Sequence, residues 1–193
     1  MIKTKKDLEY YLLCDKLARG ETKARPSLIG DRLWKFQILY RKSEYHYNNK
    51  EKLLHKLAYL FYYFRFRCQR NKMCSEFPLN VFAEGLVIWH GQNIIVNENA
   101  RVGRNFSISA GCCIGHAHGL VPVIGDNVEM NIGSRVLGGV TIADDVTIGA
   151  GALVVKNIDT PHTTWGGLPA KCISAKENLY ITERKERLKP VLR

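Results

Sequence analysis

Between Val96 and Val154, aliphatic residues return at every sixth position in two series. One series runs Val96, Val102, Ile108 and Ile114, and a second runs Ile124, Met130, Val136, Ile142, Ile148 and Val154. A period of six sustained over ten members requires near-identical short units that stack, because a repeat buries its apolar face only against its neighbours. A β-sandwich fits poorly, since its core positions alternate at two and its turns come every eight to twelve residues or so. Four positions beyond most of these aliphatics stands a small or modestly apolar residue, as at Ala100, Cys112, Ser134, Val140, Val146 and Ala152. Gly103, Ser109, Gly125, Ala143 and Gly149 directly follow aliphatics, where the backbone turns. This is a hexapeptide repeat with one aliphatic inside, a small corner residue and three units to a triangular coil.

The period breaks twice. From Ile114 to Ile124 it carries four extra residues, within His116-Ala117-His118-Gly119-Leu120-Val121. From Ile88 to Val96 the step is eight, with Trp89-His90-Gly91 at the irregularity. A solenoid ejects an insertion as a loop, and such loops gather at functional faces.

Residues 1–74 read instead as an α-helical domain. Thr4 and Asp7 are spaced as a capping box, and a second helix starts near Asp31. Leu54, Leu57, Ala58, Phe61, Phe64 and Cys68 recur at helical spacing and make a stripe that needs a partner surface. Residues 75–173 form the β-helix, and residues 174–193 a C-terminal helical tail.

Charge follows the same division: +11 over residues 1–73, −4 over 74–170 and +4 over 171–193. Basic ends suit nucleic acid, an anionic membrane or a polyphosphorylated ligand, but equally a solvated helical surface. No aromatic-plus-basic nucleic-acid motif accompanies the charge, so no nucleic-acid partner is expected. The N-terminus has no apolar targeting core, and the run Leu57 to Phe64 is much shorter than the roughly 20 residues of a membrane span. Six cysteines without a CxxC pair read as reduced thiols, and a cytoplasmic location is expected.

Several motifs occur in a specific order: Trp89-His90-Gly91, Ile95-Val96-Asn97, Gly125-Asp126-Asn127-Val128, Ile148-Gly149-Ala150-Gly151-Ala152 and Gly167-Leu168-Pro169-Ala170-Lys171. In this order they resemble the landmarks of serine acetyltransferases and related hexapeptide-repeat O-acetyltransferases. Tyr40-Arg41-Lys42-Ser43-Glu44-Tyr45 is similar to a segment in the helical domain of that group. The resemblance implies a mainly β fold, a left-handed parallel β-helix. It further implies a homotrimer, or two such trimers paired, with acetyl-CoA in a groove between subunits.

A hydroxyl acceptor must lose its proton as it attacks a thioester, and a neutral imidazole is the natural base. His90 stands at a coil irregularity, and the resemblance gives it that role; a lone histidine is otherwise a surface or structural residue. Glu76 is the candidate to orient the ring, because Glu76-Phe77-Pro78 resembles a variant with Glu two before the proline. Where the family often has Asp, three before that proline, this chain has Ser75. The family's Arg-His pair before a later proline is absent too, since Leu120 and Val121 precede Pro122. His118, or else His116, supplies a second histidine, unless both are ordinary loop residues.

By the same resemblance the oxyanion lies near Gly115, and Ala150 and Gly151 let the pantetheine arm approach. Lys171 meets a CoA phosphate, or is simply solvated. The expected activity is acetylation of a small-molecule hydroxyl, L-serine first, giving O-acetylserine for cysteine synthesis, with acetyl-CoA as co-substrate and no metal. The alternatives are a sugar hydroxyl in surface-polysaccharide synthesis, with Trp89 stacking on the ring, a zinc hydratase using His90, His116 and His118, and a non-catalytic scaffold.

Overall fold

The computed structural model describes residues 1–191. Three helices, α1 (Lys5–Ala18), α2 (Arg32–Asn48) and α3 (Leu53–Lys72), precede thirteen short strands, and α4 (Leu179–Leu188) follows them. The last two residues of the expected tail lie outside the described residues.

Twelve of the strands build a parallel β-helix with three faces. Face C stacks β1 (Val87–Ile88), β4 (Ser107–Ile108), β7 (Glu129–Met130), β10 (Thr147–Ile148) and β12 (Thr164–Gly166). Face A stacks β2 (Ile95–Val96), β5 (Cys113–Gly115), β8 (Arg135–Leu137) and β11 (Leu153–Val154). Face B stacks β3 (Arg101–Val102), β6 (Val123–Ile124) and β9 (Thr141–Ile142). The final strand, β13 (Lys171–Ser174), turns back antiparallel on β12.

All ten members of the six-step series are buried and point inward. Register shows why: Ile108 lies over Ile88, Met130 over Ile108 and Ile148 over Met130, so identical positions stack down the axis. The small residues at Ala100, Cys112, Ser134, Val140, Val146 and Ala152 are buried as well, at the corners. At the corner between faces C and A, Gly111, Gly133 and Gly151 repeat φ values of +70°, +70° and +68°, a left-handed conformation costly for other residues.

The helices are fixed to the first coil by a buried charge cluster. Arg41, wholly buried, donates to Asp15 through Nε (2.8 Å) and Nη2 (3.1 Å) and to Glu44 (3.0 Å). It also donates to the carbonyls of Phe82 and Ala83. Asp15 in turn accepts from the backbone of Gly85 and Leu86, so α1, α2 and the β-helix share one set of hydrogen bonds. The predicted capping box at Thr4 and Asp7 is present, and α2 begins after Asp31.

The helical stripe behaves otherwise. Leu54, Leu57, Phe61, Phe64 and Cys68 face solvent, while Tyr62, Tyr63 and Phe66 on the opposite side meet the core. The aromatic face wins because rings stack between the helices, with Phe36 on Phe66 at 5.1 Å and His46 on Tyr62 at 5.2 Å.

Candidate active site

The outer columns of the three faces differ. On face C, Val87, Ser107, Glu129 and Thr147 are all buried, under α1 and α4. Leu188 packs with Cys14, Ala18 and Val87, while Arg184 donates to Ser107 Oγ at 2.9 Å and pairs with Glu129 at 3.4 Å. Faces A and B are open: on face B Arg101, Val123 and Thr141 are exposed, and on face A the column Glu76, Ile95, Cys113, Arg135, Leu153 has Ile95 about half exposed. Burial raises the Cys113 thiol pKa, and Arg135 opposes the shift.

His90 sits at the corner between faces C and A. Val87 pairs with Ser107, twenty residues on, whereas Thr147 pairs with Glu129 eighteen residues before it. The first coil therefore holds two extra residues, which raise Trp89 and His90 into solvent. The ring of His90 has no hydrogen-bond partner among the described residues, so a substrate hydroxyl is free to meet it.

Glu76 does not touch that ring within the chain. Its backbone pairs beside Ile95, and its exposed side chain lies on the outer column of face A. The side chain beneath the His90 turn belongs to Ser75. Its buried hydroxyl donates to the Gly91 carbonyl at 2.6 Å and accepts from Ile94 N–H at 3.0 Å. Adjacent strand residues point to opposite sides, so one of the two supports the turn and the other faces out.

The four-residue insertion forms a tight hairpin. Ala117 and Leu120 exchange both backbone hydrogen bonds at 3.0 Å, with His118 and Gly119 between them at φ 52° and 76°, the signature of a type I′ turn. The hairpin folds over the next coil: a Cβ on Gly139 would lie 2.8 Å from Leu120 Cβ. His118 is exposed at the tip, and Nδ2 of Asn97 donates toward His116 Nδ1 at 3.4 Å.

A cavity of about 420 Å³ runs beside this hairpin, bounded by His118, Leu120, Gly138, Gly139 and Lys156. A second, of about 260 Å³, shares Val155, Lys156 and Asn157 and continues to Trp165, Pro169 and Lys171. Together they make a groove along the corner between faces A and B, with one lysine midway and one at its far end. Lys156 was not singled out by sequence because it belongs to no motif; only its place in the repeat, two beyond Val154, marks that corner. A further cavity of about 320 Å³, between Ile2, Tyr11 and Arg101, lies apart from these residues.

Gly115 ends β5 beneath the hairpin, where a Cβ would come within 2.8 Å of Leu137 Cδ2. Ala150 and Gly151 lie elsewhere, at the His90 corner, exposed and with nothing near a Cβ on Gly151. The site residues thus fall on two corners, with face A between them. Among the described residues, the one set of three side chains that converges as metal ligands do is Asp145, His162 and Glu177, not the histidines 90, 116 and 118. Lys185 already pairs with both carboxylates of that set, at 2.9 and 3.0 Å.

No family model matches the chain. Serine acetyltransferase 3, mitochondrial, of Arabidopsis thaliana is 37% identical over 49% of this chain and 25% of its own length. The serine acetyltransferase of Buchnera aphidicola subsp. Schizaphis graminum (strain Sg) is 28% identical over 76% of this chain and 57% of its own. The chain thus spans about a quarter to three fifths of these relatives. Among solved structures, a serine acetyltransferase in complex with CoA superposes with a TM-score of 0.62 at 19% identity, covering 88% of this chain and 71% of the other. Soybean serine acetyltransferase complexed with serine gives 0.64 at 22%, covering 88% and 70%. The chain is similar in sequence to the serine acetyltransferases and shares their β-helix fold, as its ordered motifs predict.

Proposed function

We propose that this protein is an O-acetyltransferase that moves the acetyl group of acetyl-CoA to the hydroxyl of L-serine, giving O-acetylserine for cysteine synthesis in the cytoplasm. One observation carries the reading: a chain similar in sequence to serine acetyltransferases presents an exposed, unpartnered histidine at the coil irregularity their motif marks. Related folds bind CoA and serine, which supports both substrates.

In this reading His90 takes the proton of the serine hydroxyl as its oxygen attacks the thioester carbon. The tetrahedral oxyanion meets backbone N–H groups near Gly115, the C–S bond breaks, and the imidazolium returns the proton to the CoA thiolate. Lys156 and Lys171, on the groove, supply charge for the CoA phosphates. His118, at the hairpin tip, flanks the thioester end.

His90 and this groove occupy different corners, so a second copy completes the site: the open face A of one subunit sets its His90 corner against the grooved corner of the next. A homotrimer closes such head-to-tail contacts into a ring. Glu76, on that face, then orients an imidazole across the subunit contact.

Release of free CoA from acetyl-CoA is the test, followed with L-serine, homoserine and nucleotide-linked sugars as acceptors. Serine-dependent release supports the proposal. Release with sugars alone would replace serine by a sugar hydroxyl, and no release with any acceptor would leave a non-catalytic scaffold.

A further inference from the structure

The solvent face of α3 is an apolar surface that neither the fold nor the proposed site uses. Leu53, Leu54, Leu57, Leu60, Phe61 and Phe64 are each more than half exposed. At about 100° per residue they fall within an arc of roughly 120°. Both edges of that arc are cationic: Lys56 and Arg67 border one side, while Arg65 and Lys72 border the other, all four exposed. Arg65 lies over the Phe61 ring at 5.6 Å, which places a guanidinium against the apolar strip. With Arg70 the helix carries five cations and not one carboxylate.

This charge pattern selects among occupants. A second copy of α3 would set five cations against five with no carboxylate on either helix. Nucleic acid would satisfy the cations but leave six large apolar side chains in water. An anionic lipid surface answers both demands, since leucine and phenylalanine enter the acyl boundary while lysine and arginine reach the headgroups along their aliphatic stems. We propose that α3 docks this protein on an anionic membrane surface, lying flat with its Leu/Phe strip in the interface. The helix does not span: no helix among the described residues is long and apolar enough to cross a membrane.

The inference is independent of the acetyl acceptor. Its test is sedimentation of the full chain with vesicles of phosphatidylcholine containing roughly one third phosphatidylglycerol, and with phosphatidylcholine alone, at about 0.1 M salt. The expected result is binding to the anionic vesicles, little to the neutral ones, and a loss of at least about tenfold in Leu57→Glu/Phe64→Glu. Both positions are exposed, so circular dichroism of the variant should match the parent. Failure of the parent to bind anionic vesicles, or unchanged binding by the variant, overturns the proposal. A fall in solution mass of the variant also overturns it, by assigning the strip to a second copy.

Discussion

Ser75 and Glu76 are neighbours whose side chains face opposite ways, and the turn between them and His90 sets the finest predictions. His90 lies outside the repeated core, and its ring bonds to nothing among the described residues. His90→Ala should therefore keep the fold and acetyl-CoA affinity while turnover falls by roughly 10² to 10⁴. CoA-release kinetics beside direct CoA binding checks this; near-native turnover would remove His90 as the base. Ser75→Ala leaves the buried Ile94 N–H and Gly91 carbonyl without their bridge, at a cost of about 1–3 kcal/mol. It should lower kcat with little change in the KM for acetyl-CoA, and Ser75→Thr should restore kcat; a purely structural role would lower the melting temperature alone. Glu76→Gln, which touches no ring within one chain, should cost less than His90→Ala. The exposed corner that carries His90 was legible because a break in a regular period is itself a signal. The division of labour at Ser75 and Glu76 was not, because it depends on which side of a single bridge each side chain falls.

Elements show the same contrast between period and environment. Every member of the six-step series lands inside, because a stacked coil offers each position one environment only. The stripe on α3 was equally periodic yet faces out, because a helix packs one face and the tyrosines, amphipathic in sequence, hold the better one. The C-terminal helix α4 was expected from sequence, but its anchor was not: Arg184 reaches residues 77 and 55 positions away. Burial raises the Glu129 carboxyl pKa and Arg184 holds the rise in check. Arg184→Ala strands that carboxylate and should destabilise the protein by about 3 kcal/mol, read from denaturant unfolding. Without the arginine the folded pKa climbs further. A carboxyl raised on folding favours the protonated folded state, so stability falls as pH rises from its unfolded value through its folded one. The deficit should hence be larger near neutral pH than at about pH 4, and Glu129→Gln in the same chain should recover most of it. A deficit independent of pH would assign the loss to packing instead.

At the scale of the whole molecule, the proposed site places a partner copy against face A, which lies between its two corners. Face C is closed by α1 and α4, whereas face A presents Ile95 and Leu153 with the half-buried Cys113 between them. His90 lies at one edge of that open face and the groove from His118 to Lys171 at the other. In the proposed reaction the two meet across a subunit contact, so activity and assembly should fail together. The parent should scatter light as a species of about three times the 22.0 kDa chain mass. Ile95→Asp places a carboxylate at the centre of the open face without disturbing its inward neighbour Val96, so the isolated chain should keep its β-sheet signal. The variant should shift toward the single-chain mass and lose serine-dependent CoA release in proportion to the fraction dissociated. Mixing it with His90→Ala should restore nothing if Ile95→Asp blocks the contact outright. Mixing His90→Ala with a variant damaged only in the groove, such as Lys156→Glu/Lys171→Glu, should recover activity, because some contacts then pair an intact His90 with an intact groove. Recovery is the signature of a site built from two chains; full activity in a monomeric Ile95→Asp would place the whole reaction within one.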